Sequence, residues 1–283
     1  LSGMGTALKA AAAATAAAVA GAATAIGALT TKAIEGYAAQ EQLVGGVETL
    51  FKTSSDTVVG YANDAYKTAG MSANEYMETV TSFSASLLAS MNNDTAAAAE
   101  KANVAITDMS DNANKMGTDI SLIQNAYNGF AKQNYTMLDN LKLGYGGTKE
   151  EMQRLLDDAS KLSGIKYDIS SYSDVVDAIH VVQTEMGITG TTAKEASTTI
   201  EGSVSSMSSA WDNWVAGMAD SEANFSQLTS NLVDSIVTVV GNIAPRVIET
   251  VPRLVSGLGE IVEQLATYIP QVIQELLPPL MSG

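Results

Sequence analysis

The chain has 283 residues, enough for one or two domains with cores of their own. It carries 31 acidic against 15 basic residues, a net charge of −16, which repels a phosphate backbone and argues against direct nucleic-acid binding. It has no cysteine and one histidine, which excludes disulfides, thiol catalysis, cysteine-bound zinc and two-histidine metal motifs within one chain.

Hydrophobic residues make up 46% of the chain, but many are alanine, and aromatics are only 6%. That balance favours thin, elongated helical packing, in which alanine lets backbones approach. The first residue is Leu1 rather than Met, so a fragment or a processed product is expected.

Ala10 to Thr31, between Lys9 and Lys32, is uncharged and long enough to cross a bilayer as a helix. Its large apolar residues are only Val19, Ile26 and Leu29. Ala14, Ala18, Gly21 and Ala25 share roughly one face and suit close helix pairing. Two readings stand: an alanine-rich helix buried against other helices, or a membrane segment carried by Val19, Gly21, Ile26 and Leu29.

From Gly46 to Gly187 the pattern is helical with repeated punctuation. Ser72 to Glu75, Thr148 to Glu151 and Thr192 to Glu195 each have capping-box form, predicting three helix starts. Apolar residues follow at three-to-four-residue steps: Tyr76, Met77, Val80, Phe83, Leu87 and Leu88 after the first, and Met152, Leu155, Leu156 and Ala159 after the second. Ala196, Ile200 and Val204 follow the third. Lys161 to Tyr172 breaks the periodicity and reads as a loop with room for a short extended piece. Ser173 is expected to cap a helix ending near Gly187. No segment sustains period-two alternation, so no substantial sheet is expected.

Met207, Trp211, Trp214 and Met218 step by four, three and four and form a stripe, read as a core or self-association seam. From Leu228 to Leu280 apolar residues recur close to an 11-residue repeat, interrupted by Pro245, Pro252, Pro270, Pro278 and Pro279. Several amphipathic helices, each starting near a proline, are predicted. The organisation expected is residues 1–46 as an alanine-rich arm or membrane segment, 47–200 as a helical core, 201–227 as a Met/Trp-bearing linker, and 228–283 as a segmented amphipathic tail. The fold class is all-α, with antiparallel helices in the core, and the molecule is expected to be elongated and oligomeric.

Leu143 to Lys149 poses the question of phosphate binding, because Gly144, Gly146 and Gly147 precede Thr148 and Lys149. A P-loop needs four residues between its first glycine and a Gly-Lys-Ser/Thr end, after a buried strand. Here the order is Gly-Gly-Thr-Lys, and Asn134 to Leu143 reads as helix. Gly144, Gly146, Gly147, Thr148 and Glu151 therefore read as a hinge and helix start, with Met137, Leu138 and Leu141 facing Met152, Leu155 and Leu156. His180, among Val176, Ile179 and Val181, reads as structural. Asp157 and Asp158 are adjacent and point apart on a helix. No nucleophile turn, catalytic residue, cofactor site or metal set emerges.

Three segments resemble a known family. AGMSANEYMETVTSFSASLL (69–88), DMSDNANKMGTDISLIQNAYNGFAKQNYTMLDNLKLGYGGTKEEMQRLL (108–156) and GTTAKEASTTIEGSVSSMSSAWDNWVAGMA (190–219) look like tail tape measure proteins of long-tailed bacteriophages of Gram-positive hosts, or of related prophage particles. The resemblance implies a structural ruler that sets tail length during assembly and assists genome delivery through the host envelope. It implies its own copies as partners, a trimer being one arrangement, together with tail-tube and tail-tip proteins and the host membrane on ejection. It places the protein in the virion tail, in the tube lumen and at the tip. The host cytoplasm would hold it during assembly and the host membrane during infection. Family members are commonly much longer, and 283 residues reach at most about 425 Å as one helix, so one portion of a ruler is expected. The alternatives are a membrane-active pore or channel former built from residues 7–31 and 228–280, and a cell-wall hydrolase.

Overall fold

The computed structural model describes the backbone of residues 2–249, 253 and 256, and side chains from residue 27 onward. The expected segments beyond Glu249 lie outside the described residues, as do the side chains of Val19, Gly21 and Ile26. The chain divides into two compact units, residues 1–236 and 237–283. The described residues are all-α, with no strand among them.

The first helix, α1 (Ser2–Phe51), runs 50 residues. Alanine has the best helix propensity, and no proline interrupts the run. At about 1.5 Å per residue it is about 75 Å long. Its last turns enter the core through Val47 and Phe51. Nearer its middle, Gly36 lets the helix bearing Ala216 approach: a Cβ there would stand 3.2 Å from the Ala216 Cβ. The Gly36 carbonyl also accepts from the Asn74 side chain at 3.0 Å.

A 3₁₀ turn (Lys52–Ser54) leads to α2 (Ser55–Thr68) and α3 (Ala73–Ser90). The Ser72–Glu75 capping box is complete, each side chain holding the other's amide. Asp94 caps α4 (Thr95–Met116) by accepting from Ala96 and Ala97, and Gly117 ends it in the left-handed region. Then come α5 (Ile120–Phe130), α6 (Lys149–Ser163), α7 (Tyr172–Glu185), α8 (Thr191–Thr198) and α9 (Ile200–Gly217). The last described helix, α10, covers Phe225–Glu249.

The large side chains are few but concentrated. Phe51, Phe83 and Phe130, three of the four phenylalanines, are at most 2% exposed, and Tyr76 and Tyr127 are buried beside Met77, Leu87, Ile106 and Met109. Phe130 packs at 5.8 Å from Tyr127 and 6.0 Å from Tyr135, while Phe83 meets Tyr172 edge-on at 6.2 Å. An average of 6% aromatics therefore still supplies a dense centre, because the large side chains gather there and the small alanines of α4, Ala98, Ala99, Ala102 and Ala105, pack among them.

Several local expectations are corrected. Asn134 to Leu143 is not a helix: it holds only a 3₁₀ turn at Leu138–Leu141. Gln133 takes a positive φ of 57°, and the Asn134 carboxamide accepts from the Thr136 amide at 3.1 Å, which closes a turn instead. Thr192 does not cap α8; Gly190 occupies that position without a side-chain bond. The pattern Ala196, Ile200, Val204 does not lie on one helix, because Thr199 is extended (φ −117°, ψ 157°) and starts α9 by accepting from the Gly202 amide. Ser171, not Ser173, caps α7, and the loop before it contains no strand. Pro245 does not start a helix: α10 continues through it, leaving the Gly241 carbonyl without its intrahelical donor.

Candidate functional site

The hinge closes on itself. Only Gly144 among its three glycines has a positive φ, 85°. Gly147 is required by space: a Cβ there would lie 2.3 Å from the Thr136 carbonyl oxygen. The Gly146 amide donates to Glu151 at 3.0 Å, and the Glu151 amide donates to the Thr148 hydroxyl at 3.2 Å. Arg154 donates to the Gly144 carbonyl at 2.8 Å, pairs with Glu151 and lies 4.3 Å above the Tyr145 ring. The guanidinium and the Gly146 amide hold the Glu151 carboxyl below its usual range. Tyr145 donates to Asp158, and burial followed by that contact pushes its phenol up to about 12. The Gly146 amide, one that a phosphate would need, is thus occupied by the chain's own carboxylate. Leu138 and Leu141 are buried with Met152, Leu155 and Leu156, whereas Met137 is 41% exposed and does not face them.

The stripe residues meet partners within the chain. Met207 and Trp214 pack on a small cluster of Tyr66, Ala210 and Leu232. Trp214 stacks between Trp211 at 5.3 Å and Phe225 at 5.5 Å, and its indole N–H donates to Thr229 at 3.1 Å. Met218 sits at the C-terminal cap of α9, half-buried, and Trp211 remains 42% exposed. The stripe therefore seats the start of α10. Leu29 is half-buried on α1.

The most unusual chemistry lies where no motif marked it. The last two turns of α4 bury Asp108, Ser110, Asp111 and Asn112, each at most 5% exposed. Buried carboxylates cost several kcal/mol unless paired, so each needs a partner. His180 of α7 supplies one: its Nδ1 lies 2.9 and 3.0 Å from the two Asp108 oxygens. That contact raises the imidazole pKa, while burial pushes the Asp108 carboxyl up against the pull of the imidazole. One helical turn away on α7, Asp177 pairs with Lys101 of α4, giving the two helices a second charged link.

Asp111 plays a different part. Its two oxygens accept from the Gly190 and Thr192 amides, the latter at 2.7 Å. A residue of α4 thus caps α8 across 79 to 81 positions of sequence. Asn112 donates to the Leu141 carbonyl at 3.0 Å, and Lys142 donates to the last carbonyls of α4, Met116 and Gly117. Around this polar segment the Tyr172 hydroxyl is buried without a hydrogen-bond partner, the Tyr127 hydroxyl is buried beside the Gln183 carboxamide, and burial holds both phenols well above their ordinary range.

The His180 imidazole, held by Asp108, keeps its proton more tightly than a free imidazole does. No three His, Cys, Asp or Glu side chains converge to hold a metal ion among the described residues. Ordinary helical periodicity along α4 hides this segment in the sequence. Its mark there is DMSDN, four polar residues crowded around one turn of α4.

No family model, curated protein or solved structure matches the chain.

Proposed function

We propose that the chain is a structural component of a phage tail, acting as a tape measure during assembly and as a helper of genome delivery. The observation that carries this reading is α1: fifty residues of uninterrupted, alanine-rich helix entering a helical body. A ruler needs a length that a neighbouring polymer can follow, and a helix supplies one in fixed steps of about 1.5 Å per residue. The family resemblance of residues 69–88, 108–156 and 190–219 supports the same reading. Deleting residues 10–27 removes five helical turns and keeps the helix faces in register. Tails assembled with that variant should be shorter by about 27 Å. Electron microscopy of the particles tests it, and tails of unchanged length would defeat it.

A second reading, activity on membranes, is favoured by α10. By length and composition this helix can cross a bilayer, with a mean hydropathy of 1.2 and only 17% of its apolar window buried. The two roles are compatible, since a ruler that leaves the tube can line the path that follows. Dye release from liposomes tests this second role, and intact liposomes would defeat it.

A further inference from the structure

The first compact unit holds a cavity of about 630 Å³ bounded by α3, α4, α5, α8 and α9. Two of its walls are helix faces of one kind. On α3, Glu75, Glu78, Thr79 and Ser82 line it, and on α5, Ser121, Gln124, Asn125 and Asn128 line it. Both sets follow the i, i+3, i+4, i+7 spacing of a single helix face. Both faces are largely solvent-exposed, flank one cleft and are joined across it. Gln124 donates to Thr79 at 3.0 Å, and Ser82 donates to Asn128 at 3.0 Å.

Ser110 of α4 lines the cavity with its side chain 5% exposed and its hydroxyl without a hydrogen-bond partner. The buried Thr192 hydroxyl lines the same cavity and is likewise unpartnered. Unmade hydrogen bonds of this kind cost about 1–3 kcal/mol each, so the pocket carries unused binding capacity.

The lining also selects a chemistry. It includes no Lys, Arg or His to hold an anion, and no aromatic ring on which a base or sugar could stack. Three carboxylates do line it, Glu75, Glu78 and Glu201. Glu75 is committed to the Ser72 cap, whereas the carboxylates of Glu78 and Glu201 form no hydrogen bond or ion pair among the described residues. Met71 and Ile120 add apolar surface between the polar groups.

We propose that this cavity binds an aliphatic polyamine, its ammonium groups on Glu78 and Glu201, its methylenes on Met71 and Ile120, and a donor on the Ser110 hydroxyl. An ammonium carries three donors and no acceptor, which suits a pocket of carboxylate, amide and hydroxyl oxygens. A free polyamine and the side chains of a lysine-rich peptide share this chemistry.

Titration calorimetry of the full chain at physiological salt, with spermidine in one arm and a capped trilysine peptide in the other, distinguishes the two sources. Saturable one-site binding of either is expected. The double variant E78Q/E201Q should weaken it at least tenfold. The control E48Q/E185Q removes the same charge from the exposed surface and should leave it unchanged. Methyl NMR signals of Met71 and Ile120 should shift on addition of the ligand that binds. Binding by neither ligand, equal weakening by both double variants, or shifts confined to residues away from the cavity would overturn the proposal.

Discussion

The His180 imidazole stands 2.9 Å from an Asp108 oxygen, joining a side chain that is 38% exposed to one that is 1% exposed. It is the point where the interior of α4 meets solvent through α7. Its partner raises the His180 pKa, so the proton is bound more tightly in the folded chain than in the unfolded one. The stability this adds is complete below the ordinary imidazole value of about 6.5 and is lost as pH rises through the raised folded value. The raised Asp108 pKa acts in the same sense but from the lower, carboxylate range upward, since burial disfavours its charge. Urea unfolding across this range should therefore show stability falling with rising pH. Replacing His180 with Gln should lower stability by about 1–3 kcal/mol at pH 6 and flatten that slope, the half-exposed ring keeping the loss below that of a fully buried pair.

Asp111 holds two amides of α8 from a distance in sequence. Asp111→Ala leaves both without an acceptor and should cost about 2–3 kcal/mol, the range for hydrogen bonds to a charged group. Hydrogen exchange should accelerate at Gly190 and Thr192 before it does so in α6. Unchanged protection there would show that the cap is dispensable.

The hinge glycines should differ in their tolerance of a methyl group. Gly147→Ala drives a Cβ into the Thr136 carbonyl and should destabilise by about 2–3 kcal/mol. At Gly144 the space is open and the cost is that of a positive φ alone, about 1 kcal/mol. Thermal unfolding of the two variants should preserve this order.

Trp214→Ala removes the ring stacked on Phe225 and the donor to Thr229. The start of α10 should then detach, with a loss of about 2–3 kcal/mol and faster limited proteolysis between Met218 and Asn224. Proteolysis at the wild-type rate would place the stripe's main partner outside the chain.

Much of this architecture is legible in short-range pattern. The Ser72 capping box, the helix of Met152, Leu155, Leu156 and Ala159, and the loop after Gly164 all depend on neighbours within a few residues. What escaped depends partly on turn chemistry and close backbone approach, and partly on contacts made across the fold. The break at Thr199 interrupts a stretch that reads as one helix, and it is fixed by Gly202, where a Cβ would lie 2.5 Å from the Glu195 carbonyl. Met137, Leu138 and Leu141 mimic helical spacing, yet the turn closed by Asn134 decides the backbone. The Asp111 cap and the Asp108–His180 pair join residues 72 to 81 positions apart, beyond the reach of any local pattern.

The proposed ruler function requires that helix length in this chain be read out as tail length. In-frame deletions and duplications of five-turn blocks within residues 10–45, measured as tail lengths by electron microscopy, test it directly. The expected result is a straight line with a slope of about 1.5 Å per residue in both directions. Tails whose length does not follow the number of residues would contradict it.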